Sequence, residues 1–257
     1  MSDKGIPPDL RRLWRLPSGS VRGRPASLSV DIVVQAAVDL ADDAGLAAVS
    51  LPKLAAVLGV TTMSLYKYVG SASELYVLMG DLASGRPPAC DSDDESWRDG
   101  LWKWAHAQIQ VYAAHPWLSQ LPVTSPPGGP NAISWMDGFL AAMCKTGLDA
   151  KRKLAILAML GNYVRSFAQV QASLDRGRTD KRQTRTETEL QYSAAMAALV
   201  DPAEYPHAAQ LFRGEPFESN SDSSRVPGEA YPEFRYGLTI ILDGIAAAIE
   251  EHGQEST

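Results

Sequence analysis

Apolar residues recur at helical spacing from Ser29 onward. Val33, Ala36, Ala37, Leu40, Ala41 and Ala44 fall at i, i+3, i+4, i+7, i+8 and i+11, which is one face of an α-helix. Ser29 is placed to cap its first free amides, Asp31 complements the positive end of its dipole, and Gly45 supplies a stop. A second start follows at Ser50, with Pro52 in the first turn, where a missing N–H costs nothing. Its stripe is Leu51, Leu54, Ala55 and Leu58, and Gly59 ends it. Thr61 then caps a third helix whose inward residue is Leu65, and Ser71 with Glu74 reads as the capping box of a fourth.

The pattern stays helical to the end. Residues 84–96 form a break, with Ser92 and Glu95 spaced as a capping box before a helix over 97–115 that is dense in aromatics. Pro116 ends that helix, and Pro126-Pro127-Gly128-Gly129-Pro130 is a loop. Helices are expected over 131–145 and 149–174, separated by Gly147. Residues 176–185 are polar and read as a frayed helix or a loop. Thr186 with Glu189 opens a further helix to Val200, and 214–229, rich in Ser, Pro and Gly, reads as disordered. A last helix over 231–252 carries Leu238, Ile241, Leu242, Ile245 and Ile249 on one face. No strand pattern competes, so the fold class is all-α.

Residues 51–65 obey a stricter code. Counting Leu51 as the first position, the fifth is the small Ala55, where a second helix must cross closely. The ninth is Gly59, which can adopt the positive φ of a tight turn. The fourth, eighth, tenth and fifteenth are the apolar Leu54, Leu58, Val60 and Leu65. Two short helices joined at Gly with these restrictions form a helix-turn-helix over 51–68. The run from Leu54 to Val69, with its Gly59-Val60-Thr61 turn and Ser64-Leu65-Tyr66 tripeptide, resembles the TetR family signature. The resemblance spans residues 29–80. It implies a three-helix DNA-binding head over 29–75, a larger helical effector-binding and dimerisation domain over 76–252, a basic arm over 1–28 and a tail over 253–257. Two positions depart from the family. Ala72 stands where a phosphate-binding Lys is frequent, and Pro52 where some members carry a basic base-reading residue.

Charge supports this polarity. The chain carries −6 overall, yet residues 1–70 hold eight Lys or Arg against six Asp or Glu, and the remainder sixteen against twenty-four. A basic end on an acidic body suits contact with a polyanion at one end, or a solvated basic tail. Thr62, Met63 and Ser64 would meet base edges, and Lys67 bases or phosphate. The resemblance places Tyr66 and Tyr68 on phosphates, although the Tyr68 ring also suits core packing. Thr61, Ser50 and Lys53 complete the expected DNA face. Arg22-Gly23-Arg24-Pro25 resembles the core of an AT-hook, and is either a minor-groove arm or an ordinary linker.

The body offers aromatic and thioether side chains in excess: Trp104, Tyr112, Trp135, Phe139, Met143, Met159, Tyr163 and Phe167. Together they are expected to line a pocket for a lipophilic, planar effector, with Arg165 and Asn162 as polar candidates for orienting it. The apolar face of residues 238–249 is expected to pair in a homodimer, which a palindromic double-stranded operator requires. The family's usual outcome is repression relieved by effector. The alternative is a DNA-binding regulator without an effector, controlled by a protein partner or acting as an activator.

Other classes lack their constellations. Ser50-x-x-Lys53 and Ser64-x-x-Lys67 match a nucleophile pattern, but inside the helix-turn-helix and without companion motifs. His106, His115, His207 and His252 have no metal spacing, and no Gly-rich phosphate loop occurs, so neither catalysis, metal nor cofactor is expected. No run of about 18 apolar residues exists, and Cys90 and Cys144 read as buried thiols of a cytoplasmic protein.

Overall fold

The computed structural model describes residues 5–17, 28–89, 96–213 and 231–255, and among these every regular element is a helix. The chain divides into two compact units, residues 1–169 with 231–257, and residues 170–230.

The head opens with a helix absent from the sequence expectation: α1, Pro8–Leu13. Pro8 sits in its first turn, and Leu13 is buried against the head. Helix α2, Val30–Ala44, is capped by Ser29, whose hydroxyl accepts from the amide of Ile32, and Gly45 stops it at positive φ. Helices α3, Leu51–Leu58, and α4, Thr62–Val69, start at Ser50 and Thr61. Between them Gly59 takes φ 66° and ψ 31°, a left-handed conformation that a Cβ would strain. Leu54, Leu65 and Val69 are fully buried, and Ala55 nearly so, beneath Val33, Val34 and Ala37 of α2.

Helix α5, Ala72–Ser84, starts at Ser71, whose hydroxyl accepts from the amide of Glu74 at 3.0 Å. The reciprocal half of the expected capping box is absent, because the Glu74 carboxylate takes a bidentate pair from Arg12 on α1. Leu75, Leu78 and Met79 of α5 belong to the head core, together with Trp117 and Leu118 from the 3-10 turn Pro116–Gln120. The expected boundary at 75/76 therefore cuts through a continuous helix.

Beyond it come α6, Trp97–Ala114, α7, Pro130–Ala142, and the long α8, Ala150–Lys181. The cap of α6 is Ser96, donating to Asp99 and accepting from its amide. The expected Ser92 and Glu95 lie outside the described residues. Helix α8 continues through most of the polar stretch expected to fray. In the second unit, α9, Arg185–Leu199, has its capping box at Thr184 and Glu187, two residues before the expected pair, and α10, Pro206–Arg213, follows. Helix α11, Pro232–Glu255, returns to the first unit. The expectation of disorder over 214–229 falls outside the described residues.

A second core joins α6, α7, α8 and α11. Trp104 meets Trp135 and Phe139 edge-on at 5.8 and 5.6 Å, and its indole N–H donates to the Trp135 carbonyl at 2.9 Å. Tyr163 stacks on Phe234 at 5.3 Å and donates its hydroxyl to the Phe234 carbonyl. A Cβ at Gly237 would overlap that hydroxyl, so glycine leaves room for the Tyr163 ring end against α11. Among the described residues no helix is long and apolar enough to cross a membrane.

Candidate DNA-binding face and ligand cavity

The helix-turn-helix presents a graded surface. Met63 on the first turn of α4 is 74% exposed and Tyr66 44%, and Lys53 and Lys67 are also exposed. These four, with the half-buried Thr62 and Ser64, lie on the accessible surface of the helix-turn-helix. Ser50 and Thr61 use their hydroxyls as caps, and Thr61 and Ser64 are hydrogen-bonded to each other at 2.9 Å. Tyr68 is half-buried and packs on the head core, so its ring serves packing rather than standing free at the surface. Val57, 60% exposed on α3, was not singled out by the sequence pattern. Arg22 and Arg24 lie outside the described residues.

Two basic residues of the N-terminal segment are held by the head itself. Arg12 pairs with Glu74, and that hydrogen bond is the main cause that raises the Arg12 pKa. Arg15 pairs with Asp31 at 2.5 Å, and Trp14 donates its indole N–H to the Gly128 carbonyl at 2.7 Å. This segment is therefore a strut, not only a charged tail.

The cavity lies where α5 meets the body, with a volume of about 290 Å³. Tyr76, Val77, Gly80, Asp81 and Ser84 supply one wall, all on one face of α5. Gln108, Val111 and Tyr112 come from α6, Ala132 and Trp135 from α7, Arg165 from α8, and residues 121–129 close the mouth. Of the eight side chains expected to line a pocket, only Tyr112 and Trp135 do so. Trp104, Phe139 and Met143 are buried in the second core, and Tyr163 and Phe167 pack against Phe234. Rings packed edge-on or stacked on one another leave no void between them. Met159, 46% exposed on α8, and the exposed Asn162 lie away from this cavity. Arg165 is at the wall as expected.

Two polar groups define the cavity chemistry. The Asp81 carboxylate accepts from the amides of Asn131 and Ala132 at 3.1 and 3.0 Å, so it caps α7 from α5. Burial pushes its pKa above the ordinary carboxylate range, and the two amides only partly offset this. Burial likewise raises the Tyr112 phenol, with Arg165 pulling the other way. Asp81 and the α5 wall carry no motif in the chain, although residues 76, 77, 80, 81 and 84 have helical spacing.

The expected dimer residues also need correction. Leu238, Leu242 and Ile245 are buried in the second core, with Ile241 and Ile249 packed against it. The uncovered apolar side of α11 is the opposite one, with Tyr236 72% and Ile240 55% exposed beside Gly244 and Ala247. On α8, Ala155, Ala158 and Met159 are uncovered. Cys144 is exposed rather than buried, and Cys90 lies outside the described residues.

Comparison with known proteins agrees with this architecture. Residues 88–249 match the family described as tetracyclin repressor-like, C-terminal domain. The chain is 32% identical over 254 residues to the HTH-type transcriptional repressor DrrR1 of Streptomyces coeruleorubidus, covering 96% of this chain and 88% of that protein. The fold is similar to apo ActR from Streptomyces coelicolor, with TM-score 0.71 and 22% identity over 89% of this chain and 100% of that one. It is also similar to ActR in complex with actinorhodin, with TM-score 0.71 and 24% identity over 87% and 99%. With the helix-turn-helix at its head and this match across its body, the chain belongs to the TetR family of DNA-binding transcriptional regulators.

Proposed function

We propose that this chain acts as a homodimeric repressor that binds a palindromic operator and is released by a lipophilic, aromatic effector. The observation that carries the reading is the double use of α5. One side of it supplies Leu75, Leu78 and Met79 to the core of the DNA-binding head, and the other supplies the wall of the cavity. A ligand that shifts α5 shifts the head with it. Rotating either head away from its groove costs the dimer its second half-site, and with it most of its specific affinity. Met63, Tyr66, Lys67, Thr62 and Lys53 read the major groove and its walls. The uncovered faces of α8 and α11 pair across the dimer axis. The similarity to a protein named as a repressor, and to one solved with bound actinorhodin, supports the same reading. A lined cavity favours a small-molecule effector over control by a protein partner alone.

Footprinting of the purified chain on the DNA upstream of its own gene tests the proposal. A protected palindrome, lost on adding an organic extract of the source cells, is the expected result. Coupling of about 1–3 kcal/mol would weaken operator binding roughly 5- to 150-fold. Failure to bind any duplex at low salt would end the proposal.

A further inference from the structure

Resting on the reading of this cavity as the effector site, we infer that its ligand is an aromatic acid, a planar molecule whose ionised oxygen, carboxylate or acidic phenol, is held by Arg165. The wall is apolar and aromatic over Tyr76, Val111, Tyr112, Leu121 and Trp135, and Arg165 is the one cationic side chain among its described residues. The guanidinium is only half used by the protein. Its Nη2 donates to the carbonyls of Ser119, at 3.2 Å, and Leu121, while Nε and Nη1 have no acceptor among the described residues. A partly buried cation with spare donors, set beside an apolar slot, is best satisfied by an anion in the plane of the fork. Its field already reaches the neighbouring Tyr112 phenol. Asp81 fixes the polarity: a carboxylate already on two α7 amides repels a second anion, so the acid lies at the Arg165 end of the cavity.

The same contact joins ligand to head. Ser119 and Leu121 lie at the end of the 3-10 turn whose Trp117 is buried in the head core. Its indole donates to Asp42 of α2 at 2.6 Å. An acid that draws the guanidinium into the cavity loosens its hold on those two carbonyls, and so on the turn that seats α2.

The test uses the full-length protein and two probe pairs, naphthoate with its carboxamide and dinitronaphthol with its methyl ether, measured by calorimetry and by quenching of tryptophan emission. At least one acid is expected to bind about ten-fold more tightly than its neutral partner, the value of one charge-assisted hydrogen bond, and the favoured pair tells carboxylate from phenol. Arg165→Gln should remove that preference while leaving the neutral affinity in place, and Arg165→Lys should keep part of it. Equal affinities within both pairs, a preference that survives Arg165→Gln, or no binding of any probe at millimolar concentration overturns the inference. Should Arg165→Gln fail to fold, the wild-type comparison still decides. Operator binding read in the same samples separates the two readings. A neutral probe that releases DNA as well as its acid removes only the acid assignment. An acid that binds through Arg165 without releasing DNA removes only the effector role.

Discussion

Single residues carry the sharpest consequences where backbone or charge is held away from its preferred state. Gly59 occupies the left-handed region at φ 66° in the turn between α3 and α4. Gly59→Ala should cost about 1–2 kcal/mol in urea unfolding, the penalty of a Cβ in that conformation. An unchanged midpoint would mean that the turn is not held there in solution. Asp81 provides a pH test. Its folded pKa lies above the unfolded value, so the folded chain holds that proton more tightly. The contribution is present below about pH 3.9, the ordinary carboxylate value, and is lost as pH rises through the folded pKa. Asp81→Asn removes the titration, so its Tm relative to wild type should rise from acid to neutral pH and then stay level. A difference independent of pH would show that burial of the charge is not what the carboxylate feels.

At the scale of elements, α1 and α5 act together. The segment that composition marks only as basic folds into α1 because Leu13 finds the head core and Arg12 finds Glu74. Both charged groups are partly withdrawn from water, and the pair is bidentate, so it outweighs a surface ion pair. A double-mutant cycle of Arg12→Ala and Glu74→Gln should give a coupling of about 1 kcal/mol in thermal unfolding. Additive effects would mean that α1 is held by Leu13 and the Trp14 contact to Gly128 alone.

For the molecule as a whole, the proposed homodimer would divide α11 between folding and assembly. Its buried side, with Leu242 fully covered, holds the chain together, and its open side, with Tyr236 and Ile240 exposed, is the one the proposed dimer would use. Leu242→Ala should cost about 2–5 kcal/mol of stability in denaturant unfolding. Ile240→Glu should instead leave the helix content by circular dichroism unchanged, while light scattering shows the mass of a monomer and operator binding falls. A variant that remains dimeric would place the interface elsewhere.

Local rules sufficed for much of this protein. The caps at Ser29, Ser50, Thr61 and Ser71, the stop at Gly45 and the turn at Gly59 are decided by neighbours within four residues, and each was legible in the chain. So was the helix-turn-helix, because its code restricts size and φ at fixed spacing. Which side of a helix faces the core is different when both sides are apolar. On α11 the leucine and isoleucine stripe and the Tyr236 and Ile240 side compete, and only packing into the second core chooses between them. The cavity was illegible for the same reason. An aromatic residue fills space or borders it according to what stands opposite, so Trp104 and Phe139 close on each other while Tyr112 and Trp135 border the void. Sequence alone determined the helix-turn-helix and its turn, since these rest on local backbone and hydrogen-bonding constraints. Tertiary structure decided the cavity, the Arg12–Glu74 strut and the open face of α11, since these depend on groups far apart in the chain.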